Sequence, residues 1–260
     1  SFHGVSNVAQ IKLISRGLEA LAGDVSTEVE FKDNGTIGTA NSTFVANTQT
    51  GIVNYVPASG TMAENTNYFV VLPTGKLASG LTLVFILTDG KSLQVKLNDA
   101  VNIERAKRYD LGNIALNASK AKVEIISNKG LLESVKLQIS DLELNPDGTL
   151  NIYKGNNLEK ILSLKGNLNI ANNDNITSLD GLQYFRNVTS LNIYGNKNLA
   201  GNIDLSKYKQ LTGSVEIQRC PAVTKVDATG LDINTLKVHD MDGVKEVVTR
   251  DNKKLEVLDL

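Results

Sequence analysis

Six times in the second half of this chain, two apolar residues stand one residue apart: Leu150/Ile152, Leu168/Ile170, Leu191/Ile193, Val215/Ile217, Leu236/Val238 and Leu258/Leu260. The steps between successive pairs are 18, 23, 24, 21 and 22 residues. An apolar pair split by one residue reads as a short strand with one buried face. Its return at a nearly fixed period means that one small unit is repeated. A single such unit cannot bury its own apolar face, so the units must stack and share a core.

Other positions recur with the pairs. Three residues beyond the pairs that end at Ile170, Ile193 and Ile217 come Asn173, Asn196 and Cys220. A buried Asn at the bend after a strand can hydrogen-bond both the bend and the next coil, which stacks such residues into a ladder. Cys220 fits the slot as a small buried variant. The following coil has Met241 there, which fills space without the ladder bonds, so that coil is expected to be less regular. Ile176, Leu179, Leu182, Phe185 and Val188 fill one coil, and Leu199, Ile203, Leu205, Tyr208 and Leu211 fill the next. Leu255, Leu258 and Leu260 read as the start of a further strand, expected to be an exposed edge unless something covers it. Residues 118 to 149, with VEII, VKLQI and DLEL, alternate in short apolar runs without the period and suit an N-terminal cap.

These residues resemble leucine-rich repeat proteins. Within them GNLNIANNDNITSLDGLQYFRNVTSLNIYGNKNL is similar to the short-coil repeats of receptor L domains.

The first half is punctuated differently. VAQIKLI, TEVEF, IVNYV, YFVVLP, LTLVFILT, SLQVKL and RYDLGNIAL read as short strands between turn residues. Asn34-Gly35 and Asp89-Gly90 are turn dipeptides, and the second should join LTLVFILT to SLQVKL. LTLVFILT is apolar on both faces, as a central strand must be. SLQVKL alternates, as expected where one face meets water. The expected architecture is mainly β: an antiparallel β-sandwich over residues 1–117, followed by a short leucine-rich repeat β-solenoid over 118–260.

VAQIKLISRGLEALAGDVSTEVEFKDNGT, NYFVVLPTGKLASGLTLVFILTDGKSLQVKL and ERAKRYDLGNIAL resemble fimbrillin-like proteins of anaerobic gut and oral bacteria, over about residues 5 to 116. That resemblance implies an exported surface protein, often a lipoprotein precursor with a lipid anchor and sometimes a pilus subunit. Only seven residues precede Val8, where such proteins commonly have further strands, and a solenoid stands where they usually have a second sandwich. Both departures favour an adhesin or binding protein over a pilus or surface-layer subunit that assembles through its sandwich.

Charge and motifs remove several functions. With 27 Lys plus Arg against 28 Asp plus Glu, there is no electrostatic case for nucleic acid or an anionic membrane. No apolar run approaches the roughly 20 residues of a membrane span. The sequence begins at Ser1 without a signal peptide, so export requires that a leader was removed. Cys220 is the single cysteine, which excludes an intrachain disulfide. TDGKS lacks the upstream glycine of a phosphate-binding loop, with Phe85 in its place. HDMDG lacks the ligand spacing of a calcium loop. His3 and His239 have no metal-ligand neighbours, and no catalytic constellation stands out. No cofactor, no metal and no enzyme activity are expected.

What remains is a surface. The outward strand positions are Asn167, Asn169 and Ala171; Ser190, Asn192 and Tyr194; Ser214, Glu216 and Gln218; Thr235, Lys237 and His239. Amides, hydroxyls and Tyr194 suit recognition of a protein or glycan at the cell surface. The candidate binding residues are Asn169, Asn192, Tyr194, Glu216, Gln218, Lys237 and His239. Within LNIYGNKNL, Asn192 and Tyr194 are expected to be free for a partner.

Overall fold

The computed structural model describes residues 1–22, 25–31, 37–44, 50–58 and 60–260, with 25–31 and 37–44 described by their backbone alone. The chain divides into two compact units, Ser1–Val123 and Glu124–Leu260. The division falls after Val123 and not after Asn117, because Lys122 exchanges main-chain hydrogen bonds with Ser92 and ties residues 118–122 to the first unit.

The first unit contains β1 (Phe2–His3), β2 (Val8–Ser15), β3 (Val25–Phe31), β4 (Ile37–Phe44) and β5 (Ile52–Tyr55). It continues with β6 (Gly75–Leu77), β7 (Leu81–Leu87), β8 (Ser92–Leu97), β9 (Val101–Ile103) and β10 (Ile114–Ala115). The main sheet is antiparallel in the order β5-β2-β7-β8, with separate antiparallel pairs β3-β4 and β6-β9. As its doubly apolar pattern requires, β7 is central, flanked by β2 and β8. Gly90 takes a φ of 81° in the Asp89-Gly90 turn that joins β7 to β8. Asn34-Gly35 lies outside the described residues. Ile11, Leu13, Leu83, Phe85, Leu87 and Leu93 pack on one side of the sheet with Phe2, Met62 and Leu116.

Two expected strands are not in the sheets as read. Among the described residues YFVVLP joins no sheet: no described strand pairs with it, and alternation without a neighbour makes no ladder. RYDLGNIAL keeps only Ile114–Ala115, because Asp110 accepts the Gly112 N–H and Gly112 turns to a φ of 69°. The surviving piece pairs in parallel with β1.

The second unit opens with a cap of β11 (Ile125–Ile126), α1 (Lys129–Lys136), β12 (Leu150–Asn151) and α2 (Asn157–Ser163). The coils follow with β13 (Gly166–Ala171), β14 (Val188–Tyr194), β15 (Gly201–Asp204), β16 (Ser214–Gln218), β17 (Val223–Asp227), β18 (Thr235–His239), β19 (Glu246–Val248) and β20 (Val257–Asp259). One parallel sheet runs β13-β14-β16-β18-β20 and a second runs β15-β17-β19. In the first, Leu168, Leu191, Val215, Leu236 and Leu258 align in register, as do Ile170, Ile193, Ile217 and Val238. All of these are buried except Leu258, on the outer strand.

Leu150/Ile152 is no part of this sheet. Leu150 lies in β12, which pairs antiparallel with β11 inside the cap, and this explains the short first step of the period. The run VKLQI, read as alternating, spans the end of α1 and the turn after it. The second sheet is absent from the period of apolar pairs. Its strands end in a local bend in which Asp204 accepts from Ser206 and Asp227 from Thr229.

α1 lies against β13, and its first turn closes on the bend that follows that strand, an approach only glycine permits. A Cβ on Gly130 would stand 2.5 Å from the Ile176 main-chain nitrogen. The Gln138 side chain then closes the free edge of β13, donating to the Asn169 carbonyl at 2.8 Å and accepting the Asn169 N–H at 3.0 Å. An amide that copies strand pairing in this way blunts the edge against foreign strands.

Candidate binding face

Every coil bends at the same place. Asn172, Gly195, Arg219 and Asp240, one residue before each ladder position, have φ of 51°, 66°, 51° and 55°. Asn, Gly and Asp are the residues that tolerate this left-handed conformation. Arg219 is the exception, and its side chain makes contacts that hold it there.

Behind the bend runs the ladder. Asn196 is fully buried, accepts the Asn173 N–H at 3.0 Å and donates to the Ile170 carbonyl at 2.8 Å. Asn173 extends the ladder into the cap by donating to the Gly130 carbonyl at 2.8 Å. Burial pushes the Cys220 thiol pKa up, opposed by hydrogen bonds from Asn196. That thiol is a packing element. Met241 corrects the expectation placed on it: its Sδ accepts the Cys220 N–H at 3.2 Å, so the thioether serves as a weak rung.

In front of the bend, the parallel register collects the outward residues into rows. Asn169, Asn192, Glu216 and Lys237 form one, and Ala171, Tyr194, Gln218 and His239 the next. Six of the candidates, Asn192, Tyr194, Glu216, Gln218, Lys237 and His239, thus lie on three adjacent strands. Asn169 sits one strand further out, with its main chain held by Gln138.

The side chains are interlinked. Gln218 Nε2 donates to Glu216 Oε1 at 2.5 Å, while His239 Nε2 is 3.6 Å and Lys237 Nζ 4.0 Å from the same oxygen. The Asn192 Oδ1 and His239 Nε2 atoms have no hydrogen-bond partner among the described residues. Tyr194 is not free as expected. Arg219 Nη1 donates to its phenol oxygen at 2.5 Å, the guanidinium lies 5.3 Å from its ring centroid, and Arg219 Nε donates to Asp240 Oδ2 at 3.3 Å.

Sequence reasoning missed Arg219 and Asp240 because they follow the strands and stand outside the alternation. The signal that could have found them is the bend itself, since one long basic side chain, Arg219, occupies a slot otherwise filled by Asn, Gly and Asp. Among the described residues, no group of three His, Cys, Asp or Glu could hold a metal. No described helix is long and apolar enough to cross a membrane.

Residues 126–253 match the family model described as the Endo-beta-N-acetylglucosaminidase EndoS LRR domain. Over those residues the second unit, a solenoid of stacked parallel strands, is similar to a leucine-rich repeat domain. The match begins in the cap and covers the coils through the second sheet. No curated protein and no solved structure matches the chain.

Proposed function

We infer that this chain is a non-enzymatic, exported protein of the bacterial cell surface whose leucine-rich repeat domain holds a protein partner on its strand face, in an adhesive role. The observation that carries this reading is the Tyr194–Arg219–Asp240 relay beside Glu216, Gln218, Lys237 and His239. Tyr and Arg dominate binding energy at protein interfaces. Here they are fixed by each other before any partner arrives, which lowers the entropic cost of docking.

The same contact favours protein over glycan, since the guanidinium occupies one face of the Tyr194 ring and takes it from sugar stacking. On the face Gln218 binds Glu216 and Arg219 binds Tyr194, and burial pushes the Cys220 thiol pKa up, away from what a nucleophile needs. The family match is described as a repeat domain, which agrees with a binding role. Surface location and a lipid anchor in the precursor rest on the resemblance of residues 5 to 116 to fimbrillin-like proteins.

The test is capture of surface proteins by the immobilised chain, repeated with Tyr194→Ala, Glu216→Ala and Lys237→Ala combined. A partner of this face should lose roughly a hundredfold in affinity for the triple variant, whose melting should be little changed. Undiminished binding would place the contact elsewhere, and loss of a glycan-array signal with the same variant would replace protein by glycan.

A further inference from the structure

The unpaired YFVVLP segment of the first unit has a specific character. Tyr68, Val70 and Leu72 are half-buried against the cores, whereas Phe69 and Val71 are 64% and 95% exposed. That is the two-residue alternation of a strand seated by one face. The main-chain groups of residues 68–72 nevertheless make no hydrogen bond with any described residue. Tyr68 is further anchored: its hydroxyl donates to the Ala63 carbonyl at 3.0 Å, and its ring stacks on Phe2 with centroids 6.0 Å apart. The segment is therefore held in place with its pairing capacity unspent on any described residue.

Its outer face also carries a charge. The Arg108 guanidinium lies 5.0 Å from the Phe69 ring centroid, and no carboxylate of a described residue pairs with it. Residues 67–73 themselves contain no charged side chain. An incoming strand would gain main-chain pairing along the segment and apolar contact with Phe69 and Val71. A carboxylate on it would meet Arg108, while a lysine there would be repelled.

We propose that residues 67–73 are a strand-addition site for an extended polypeptide segment of another protein, alternating in apolar residues and carrying a carboxylate opposite Arg108. A second copy of this chain fits less well, because antiparallel pairing of two uncharged segments supplies no carboxylate for either Arg108. The proposal is independent of the repeat face, which lies in the other unit.

The test uses the full chain and two labelled peptides, EVEVEVE and KVKVKVK, followed by fluorescence anisotropy and by hydrogen–deuterium exchange. The acidic peptide should bind saturably and the basic one should not. Exchange should slow at residues 69–72 and stay unchanged in Leu81–Leu87. Arg108→Glu should weaken the acidic peptide about tenfold and admit the basic one. Val71→Pro, which removes a main-chain donor, should abolish binding. A flat titration with EVEVEVE to millimolar concentration, equal binding of both peptides, or protection away from 69–72 would overturn the proposal. So would sedimentation showing a dimer of the chain alone that Val71→Pro disrupts.

Discussion

The two units solve the same problem, burying one face of a strand, with opposite use of chain distance. In the first, Leu13 of β2 pairs with Leu83 of β7, so the central pairing closes a long loop. In the second, Leu191 pairs with Val215 and Val215 with Leu236, each one coil away. A long-range sheet gathers its contacts in one place and tends to fail as a unit. A stack of coils shares its stability among neighbours and can fail locally.

The largest effect should come from the centre of the first unit. Phe85 is 1% exposed on β7 and packs edge-on to Phe2 with ring centroids 5.5 Å apart. Phe85→Ala should cost about 3–5 kcal/mol, read as a lowered urea midpoint. Hydrogen exchange should rise through β2, β5, β7 and β8 together while the coils keep their protection. If the coils open equally, the contrast between the units fails.

The next effect is local. Asn196→Ala leaves the Asn173 N–H and the Ile170 carbonyl without their partner, at about 1–3 kcal/mol per buried group. Exchange should rise first in β13 and β14 and spare β18. Met241→Leu should cost only about 1 kcal/mol, since it keeps the volume and forfeits one weak acceptor. Equal costs would mean that the thioether rung carries as much as the amide.

The same difference in chain distance explains what could be read in advance. The apolar pairs, the ladder slots and the strand face were legible because each coil repeats the last, so one motif states its neighbour's position. The central place of β7 was also legible, from its two apolar faces. YFVVLP misled because alternation reports a buried face and says nothing about whether a neighbouring strand exists. Leu150/Ile152 misled by matching the pair without the rest of the coil. On the face, residue types and rows followed from alternation. The tie from Tyr194 to Arg219 did not, because it depends on a left-handed bend carrying an Arg where Asn, Gly or Asp is usual. Gln138 was invisible, since a side chain imitating a strand edge leaves no period.

The smallest effect separates the turns of the two units by charge. In the repeat domain the Thr229 hydroxyl, donating to Asp227, holds that carboxyl below the usual range, and Lys207, donating to Asp180, does the same there. In the first unit Lys91 lowers Asp89 in the β7–β8 turn. A carboxyl with a depressed folded pKa contributes stability above its unfolded value of about 3.9, and that contribution fades as pH falls through the lower folded value. Acid should therefore lower the urea midpoint only below about pH 4. The drop should be slight, because these groups are solvent-screened. Salt divides the three: Asp180 and Asp89 are held by lysines and should lose their effect at high ionic strength, whereas Asp227 is held first by a neutral hydroxyl and should keep it. Asp227→Asn ought to reduce the acid limb that remains in high salt, to which Asp147, held likewise by the Thr149 hydroxyl, also contributes. If that limb instead disappears in salt with wild-type Asp227 present, the bend at the end of β17 is held by its charged neighbours and not by the hydroxyl.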